Sequence, residues 1–206
     1  MEIGEPSWWQ DALVQLNQDE LLGPIVKRYP EGGLSGKGNV FSTIIRAIVG
    51  QQISVKAAQT VWDRFALLPT RMTPANILKL KVDDMRAAGL SARKVEYLVD
   101  LSLNFDSGNL QIKKWSEMDD EDIIAELVAI RGIGRWTAEM FLMFTMGRLD
   151  VWPVGDLAVR RGWQIVHGLK EMPNEKQMEP LGDPFSPYRS IAAWYCWRVL
   201  EPQEPW

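Results

Sequence analysis

The sequence predicts an all-α fold. Apolar residues recur mostly at helical spacing, no run alternates at period two beside a hairpin turn, and several apolar stretches open on residues that cap helices. About ten helices are expected on that basis.

In order, the first segments are Ser7–Leu16 and Leu21–Arg28, followed by the loop Pro30–Gly38 with its four glycines. The Gly36-Lys37 pair in that loop does not make a phosphate-binding P-loop. No glycine lies at the required distance before it, Lys37 is followed by Gly38 instead of Ser or Thr, and no parallel strand leads in. Phe41–Val49 and Ser54–Leu67 come next, the latter opening on a cap-forming serine after Gln51-Gln52-Ile53. Then come Pro74–Lys79, Val82–Ala88 and Ser91–Asn104, where Ser91 follows the Gly89-Leu90 break. Asp119–Ile130 carries an acidic first turn that suits the helix dipole. Gly134–Met146, Asp156–His167 and Ser186–Leu200 complete the set, with Met172–Pro187 read as a Pro/Gly-rich loop. No internal repeat of fixed period is present.

With 206 residues, 46% of them hydrophobic, the chain can bury a core as one domain or as two small lobes. One cysteine, Cys196, and one histidine, His167, leave no disulfide framework, zinc set or four-cysteine iron–sulfur cluster. The start, Met-Glu-Ile-Gly-Glu-Pro-Ser-Trp-Trp, lacks the basic and apolar regions of a signal peptide, and the apolar stretches near Ile44 and Phe141 are too short to span a bilayer. A soluble cytoplasmic protein, nucleoid-associated if bacterial, is expected. The net charge of −4 opposes a general electrostatic affinity for nucleic acid. Residues 37 to 170, however, hold 18 Lys/Arg against 15 Asp/Glu, so the net negative charge comes from the ends. Arg131, Arg135, Arg160 and Arg161 flank the central motifs, and Arg93 with Lys94 opens another helix. These form a local basic rim or ordinary solvated helix faces.

Between two helical stretches lies Leu127-Val-Ala-Ile-Arg-Gly-Ile-Gly-Arg-Trp-Thr137. Leu127, Ile130 and Ile133 can anchor a tight turn, while Gly132 and Gly134 permit positive φ and close approach of another backbone. Amides at the start of the following helix can then point at a phosphate oxygen, with Arg131 and Arg135 beside them, and such binding needs little net charge. The alternative is a glycine C-cap between two helices.

Twenty residues past Trp136, Asp156 follows Pro153-Val154-Gly155 at the start of a helix. It reads as an N-cap, and also as a carboxylate able to stabilise a cationic sugar or to orient water. Trp136, Trp152, Trp163, Trp194 and Trp197 fall in this half of the chain. Most should be core, and one or two can line a pocket that stacks on an electron-poor base.

As an ordered set these motifs resemble the helix-hairpin-helix (HhH-GPD) DNA glycosylases, within them the branch of 3-methyladenine DNA glycosylase II. The set is Arg46-Ala-Ile-Val-Gly-Gln-Gln-Ile-Ser54, Gly89-Leu-Ser-Ala-Arg-Lys94, Gly132-Ile-Gly-Arg-Trp-Thr-Ala138, Val151-Trp-Pro-Val-Gly-Asp156, and Tyr188-Arg-Ser190 with Trp194 and Trp197. The resemblance implies a two-lobed helical fold with a cleft, one lobe at about 37–146 containing the hairpin 130–137, the other at about 1–36 plus 147–206. It implies Asp156 as the catalytic aspartate, Trp136 and Trp197 around the flipped base, and Gln51 or Gln52 as the duplex wedge. Arg131, Gly132, Ile133, Gly134, Arg135 and Thr137 then form the DNA-binding hairpin. Bifunctional relatives place a lysine at the position of Trp136, which forms a Schiff base with the sugar; tryptophan has no such chemistry. Gln52 stands where some members carry a leucine wedge, and Met140 replaces a nearby aromatic.

The implied function is monofunctional excision of alkylated purines from double-stranded DNA, by a monomer with no membrane partner. No cofactor or catalytic metal is expected, and a monovalent cation at the hairpin carbonyls is implied by the family. Two other readings stand beside it: a non-catalytic helix-hairpin-helix DNA-binding module, and a glycosylase for uracil, oxidised or mismatched bases.

Overall fold

A computed structural model describes residues 7–29, 33–34 and 39–200. Most of the loop read at Pro30–Gly38 therefore lies outside the described residues. Among those described there is no strand. The α-helices are α1 (Trp9–Leu16), α2 (Leu22–Arg28), α3 (Val40–Gly50), α4 (Val55–Phe65), α5 (Pro74–Ile77), α6 (Val82–Ala87), α7 (Ala92–Asp106), α8 (Asp120–Val128), α9 (Arg135–Phe141), α10 (Leu157–Val166), α11 (Glu175–Met178) and α12 (Arg189–Leu200). The hydroxyls of Ser54 and Ser91 accept from the amides of Ala57 and Lys94, so both serines cap α4 and α7 as their sequence positions imply.

Three short stretches depart from the expected pattern. A 3-10 turn, Ile112–Lys114, joins α7 to α8. The Pro/Gly-rich stretch is ordered as α11 and a 3-10 segment, Glu179–Phe185, instead of a loop. Its start is a reciprocal capping box: the Asn174 side chain accepts from the Gln177 amide, and Gln177 accepts from the Asn174 amide. The third is a π-helical turn, Leu142–Met146, continuing α9.

The chain divides into two compact units, Gly38–Phe141 and Glu2–Lys37 together with Leu142–Trp206. The division falls at Phe141–Leu142, ahead of the boundary expected at 146. The π-helical turn Leu142–Met146 falls in the second unit, where Phe144 packs on Trp197.

In the first unit, α3 packs on α4, α7 and α9, and α8 packs on α9. Ile45 and Ile48 of α3, Leu98 and Leu101 of α7, and Ile123 and Leu127 of α8 are buried in its core. In the second, α10 and α12 form the main packed pair, with α1 and α2 also against α12. Ser190 to Trp197 of α12 are buried on every face, as a central helix requires. Most described tryptophans are core, as expected: Trp9, Trp115, Trp152, Trp163, Trp194 and Trp197 are buried. Among the described residues no helix is long and apolar enough to cross a membrane.

Candidate functional site

The turn before α10 sets Asp156. Its amide donates to the Pro153 carbonyl at 2.9 Å, and the Val154 amide donates to the Trp152 carbonyl at 2.9 Å. Asp156 then caps α10, Oδ1 accepting from the Val159 amide at 2.8 Å. The same oxygen accepts from the Trp197 indole at 3.2 Å, and the residue is 6% exposed. The cap and the approach to α12 thus coexist on one carboxylate oxygen. Cys196, the neighbour of Trp197, is fully buried, and burial together with the Asp156 charge pushes its thiol well above the usual range. That thiol is inert.

Phe144 stands 5.5 Å from Trp197, ring to ring, at 31°. It is half-buried and was not singled out from sequence. The π-helical register turns it toward Trp197, and nothing in a 3.6-residue period marks such a turn.

At the hairpin, Gly132 has φ of +85°, and a β-carbon on it would lie 2.2 Å from the Tyr97 ring. Gly134 has no neighbour within 4 Å of a β-carbon and is not in the left-handed region, so only one of the two glycines uses the freedom expected of both. Ile130, Ile133 and Leu127 are buried beneath the turn. Thr137 is buried as well, which leaves its side chain little surface to offer.

The two hairpin arginines are occupied by carboxylates. The Arg131 amide donates to Asp100 at 2.8 Å and its guanidinium to Glu96 at 3.3 Å. Arg135 donates through two nitrogens to Glu121 and through Nε to Glu139 at 2.9 Å. These bonds hold Arg135 above its ordinary range, while the Glu121 carboxyl is lowered by Arg135 against a smaller desolvation effect. Of the two readings left open for these arginines, bare basic rim or ordinary solvated charges, neither describes Arg131 and Arg135, which are matched with carboxylates. Lys94 is likewise turned inward, donating to the Val49 carbonyl at 2.7 Å, and burial lowers its pKa.

Gln51 and Gln52 part ways. The Gln51 side chain donates to the Gly132 carbonyl at 2.9 Å, tying the end of α3 to the hairpin. Gln52 is exposed on a left-handed backbone, φ +57°.

Residues 45–187 match the model of the HhH-GPD superfamily of base excision DNA repair proteins. The chain belongs to this superfamily. It is 34% identical to DNA-3-methyladenine glycosylase 1 of Schizosaccharomyces pombe over 86% of this chain and 80% of that protein. Among solved structures it is similar to the Schizosaccharomyces pombe 3-methyladenine DNA glycosylase in complex with abasic DNA, with a TM-score of 0.80 and 32% identity, covering 91% of this chain and 95% of that one. The DNA-3-methyladenine glycosidase of Bacillus halodurans gives 0.85 and 32%, over 98% and 93%.

In this HhH-GPD chain the structure brings Asp156, Trp197 and Phe144 together in the second unit. It brings Gln51 to the hairpin in the first. Trp136 also lies in the first unit and is 51% exposed, so the two tryptophans expected around one base belong to different units. Among the described residues no group of three or more His, Cys, Asp or Glu is placed to hold a metal ion.

Proposed function

We propose that this chain is a monofunctional DNA glycosylase of base excision repair, hydrolysing the N-glycosidic bond of alkylated purines of the 3-methyladenine type after the nucleotide is turned out of the duplex. The observation that carries the reading is the Asp156–Trp197 pair: a buried carboxylate, fixed by a helix-start amide and an indole N–H, with aromatic rings beside it.

The chemistry needs little more. An alkylated purine is cationic, so its bond to the sugar breaks with the electron pair passing to the base, which departs neutral without a general acid. The Asp156 carboxylate stabilises the oxocarbenium character left on the sugar, and a water adds to the anomeric carbon and passes its proton to solvent. Trp197 and Phe144 of the second unit are aromatic rings of the kind that suits a cationic base, and Trp136 of the first unit is an exposed indole. With Trp136 where lyase relatives carry lysine, no amine is available there to attack the sugar and cut the strand.

The hairpin from Arg131 to Thr137 grips the backbone through its amides, the open face at Gly134 admitting a phosphate. Gln52 is the wedge that fills the vacated stack, and Gln51 holds the loop that presents it. A monovalent cation at the hairpin fits the donor chemistry, since backbone carbonyls are neutral oxygen ligands. The Gly132, Ile130 and Gly134 carbonyls accept from the Gln51 side chain and from the Ile133 and Ala138 amides, and each keeps a second lone pair, so the ion would rest on hairpin carbonyls beside those bonds and supply positive charge toward a phosphate. The enzyme works as a monomer on double-stranded DNA, in the reducing cytoplasm that a lone buried cysteine suits.

The test is release of methylated purines from alkylated duplex DNA by wild type and by Asp156→Asn. The variant is expected to lose at least about 100-fold in rate, in line with removing a charge-stabilising group. Equal rates would remove Asp156 from the reaction. Duplex binding with no base release by the wild type would instead favour a non-catalytic binding module.

A further inference from the structure

The Tyr188-Arg189-Ser190 string takes no part in the chemistry above, yet it makes several polar contacts within the second unit. Arg189 and Ser190 open α12 and hold the segment 148–151, which leads into the turn carrying Asp156. The Ser190 amide donates to the Leu149 carbonyl at 3.1 Å. Its hydroxyl donates to the Arg148 carbonyl at 2.7 Å and accepts from the Val151 amide at 2.9 Å. The Arg189 guanidinium forks onto both oxygens of Asp150, Nε to Oδ1 at 2.7 Å and a terminal nitrogen to Oδ2 at 2.9 Å. The Arg189 amide adds a second bond to Oδ1 at 3.3 Å, and the Ser186 hydroxyl a second bond to Oδ2 at 3.0 Å.

We infer that Arg189 and Asp150 are positioning residues for Asp156, resting on the reading of Asp156 as the catalytic carboxylate. Two turns after this clamp, the same helix presents Trp197 to Asp156 Oδ1. One rigid element therefore holds both ends of the short stretch between residues 150 and 156. The stretch itself has little freedom: Val151 and Trp152 are buried, and the Trp152 indole donates to the Met178 carbonyl at 2.8 Å. A sliding clamp would shift the turn and with it the carboxylate, and a displacement of about 1 Å at a reacting group costs about 100-fold in rate. The fork explains the choice of arginine. A planar guanidinium fixes distance and angle through two parallel bonds, whereas a lysine ammonium keeps the charge and loses the angle.

The experiment is Arg189→Lys, read by kcat and KM on alkylated duplex and by the Trp197 indole signal in proton–nitrogen correlation spectra, assigned by its loss in Trp197→Phe. The expected result is a kcat lowered by about 10–100-fold with KM within about twofold, together with a shifted Trp197 signal and an unshifted Trp115 signal. Trp115 belongs to the other unit and reports general damage. An unchanged kcat or an unmoved Trp197 signal overturns the inference. Should the lysine variant not fold, Asp150→Asn is read in the same way. A fast Asp156→Asn enzyme would sink the proposed function by itself, and the indole shift would still report on the clamp.

Discussion

Gly162 of α10 rests against the backbone of Cys196 of α12 so closely that a β-carbon on it would lie 2.0 Å from the Cys196 carbonyl oxygen. That crossing sets the distance between two functional groups, because Asp156 caps α10 and Trp197 follows Cys196. Gly162→Ala must push the helices apart. Overpacking of this kind costs about 1–3 kcal/mol, and the contact with backbone places the expected loss at the upper end. A lower denaturation midpoint and a disproportionate fall in base release, from the broken Asp156–Trp197 hydrogen bond, are expected. A variant of wild-type stability and rate would show that the crossing does not set the site.

The two hairpin glycines separate folding from binding. Gly132→Ala meets both a left-handed φ and the Tyr97 ring, so a loss of about 1–3 kcal/mol in stability is expected from the strained backbone alone. Gly134→Ala meets nothing, and its thermal midpoint should match wild type. If a phosphate approaches over Gly134, its methyl group nevertheless weakens duplex binding. Titration of labelled undamaged duplex decides the matter, and unchanged affinity would remove Gly134 from the interface.

How much of this was legible beforehand varies with the physics behind each residue. Caps are local, so Ser54 and Ser91 were readable, as was the placement of Asp156 at a helix start. The capping box at Asn174 and Gln177 was equally local, but the prolines at 173, 180, 184 and 187 drew the segment toward a loop. Charge pairing was not readable: Glu96 lies 35 residues from Arg131 and Glu121 lies 14 from Arg135, so two solvated arginines became matched pairs only through tertiary packing. Phe144 was hidden for another reason, since a π-helical turn breaks the period from which faces are inferred.

Gln51 and Gln52 are adjacent in sequence and opposite in role. Gln51→Ala loses the bond to the Gly132 carbonyl, with an expected cost of about 0.5–1.5 kcal/mol in stability. Gln52→Ala leaves stability near wild type while slowing base release, because the exposed side chain is free to act on the duplex alone. Thermal melts and single-turnover release measured on both variants distinguish them. A Gln52→Ala enzyme of wild-type rate would dismiss the wedge.

His167 gives the second unit a pH dependence. Its ring stacks on Trp163 with centroids 3.8 Å apart, and since the Trp163 carbonyl only accepts, Nδ1 carries the proton and donates to it at 3.0 Å. Burial lowers the pKa below its ordinary value, outweighing the backbone hydrogen bond and the Asp19 charge that raise it. The unfolded chain therefore binds a proton before the folded one, and this contribution to stability is intact above about pH 6.5 and falls as pH drops below it. Replacing the ring by His167→Gln removes the stack and the titration together. The stability gap between wild type and variant should narrow from about pH 8 to about pH 5. A gap constant across that range would mean that His167 does not titrate differently on folding.

Glu121 occupies the Arg135 fork in the manner a phosphate would, with two guanidinium nitrogens on two carboxylate oxygens. The Arg135 and Glu121 side chains are 55% and 69% exposed, and such a pair is worth about 0–1 kcal/mol, so a duplex phosphate can displace the carboxylate at small cost. Glu121→Gln leaves Arg135 with Glu139 as its charged partner and one fork edge to offer. Affinity for undamaged duplex should then rise by up to about fivefold, the equivalent of that interaction. The plot of log affinity against log salt should steepen by up to about 0.9, one further phosphate contact. The same variant tests where Arg135 points on the bound duplex. If the salt slope stays at its wild-type value, Arg135 is a structural partner of Glu121 and Glu139, and the backbone is held by the hairpin amides without it.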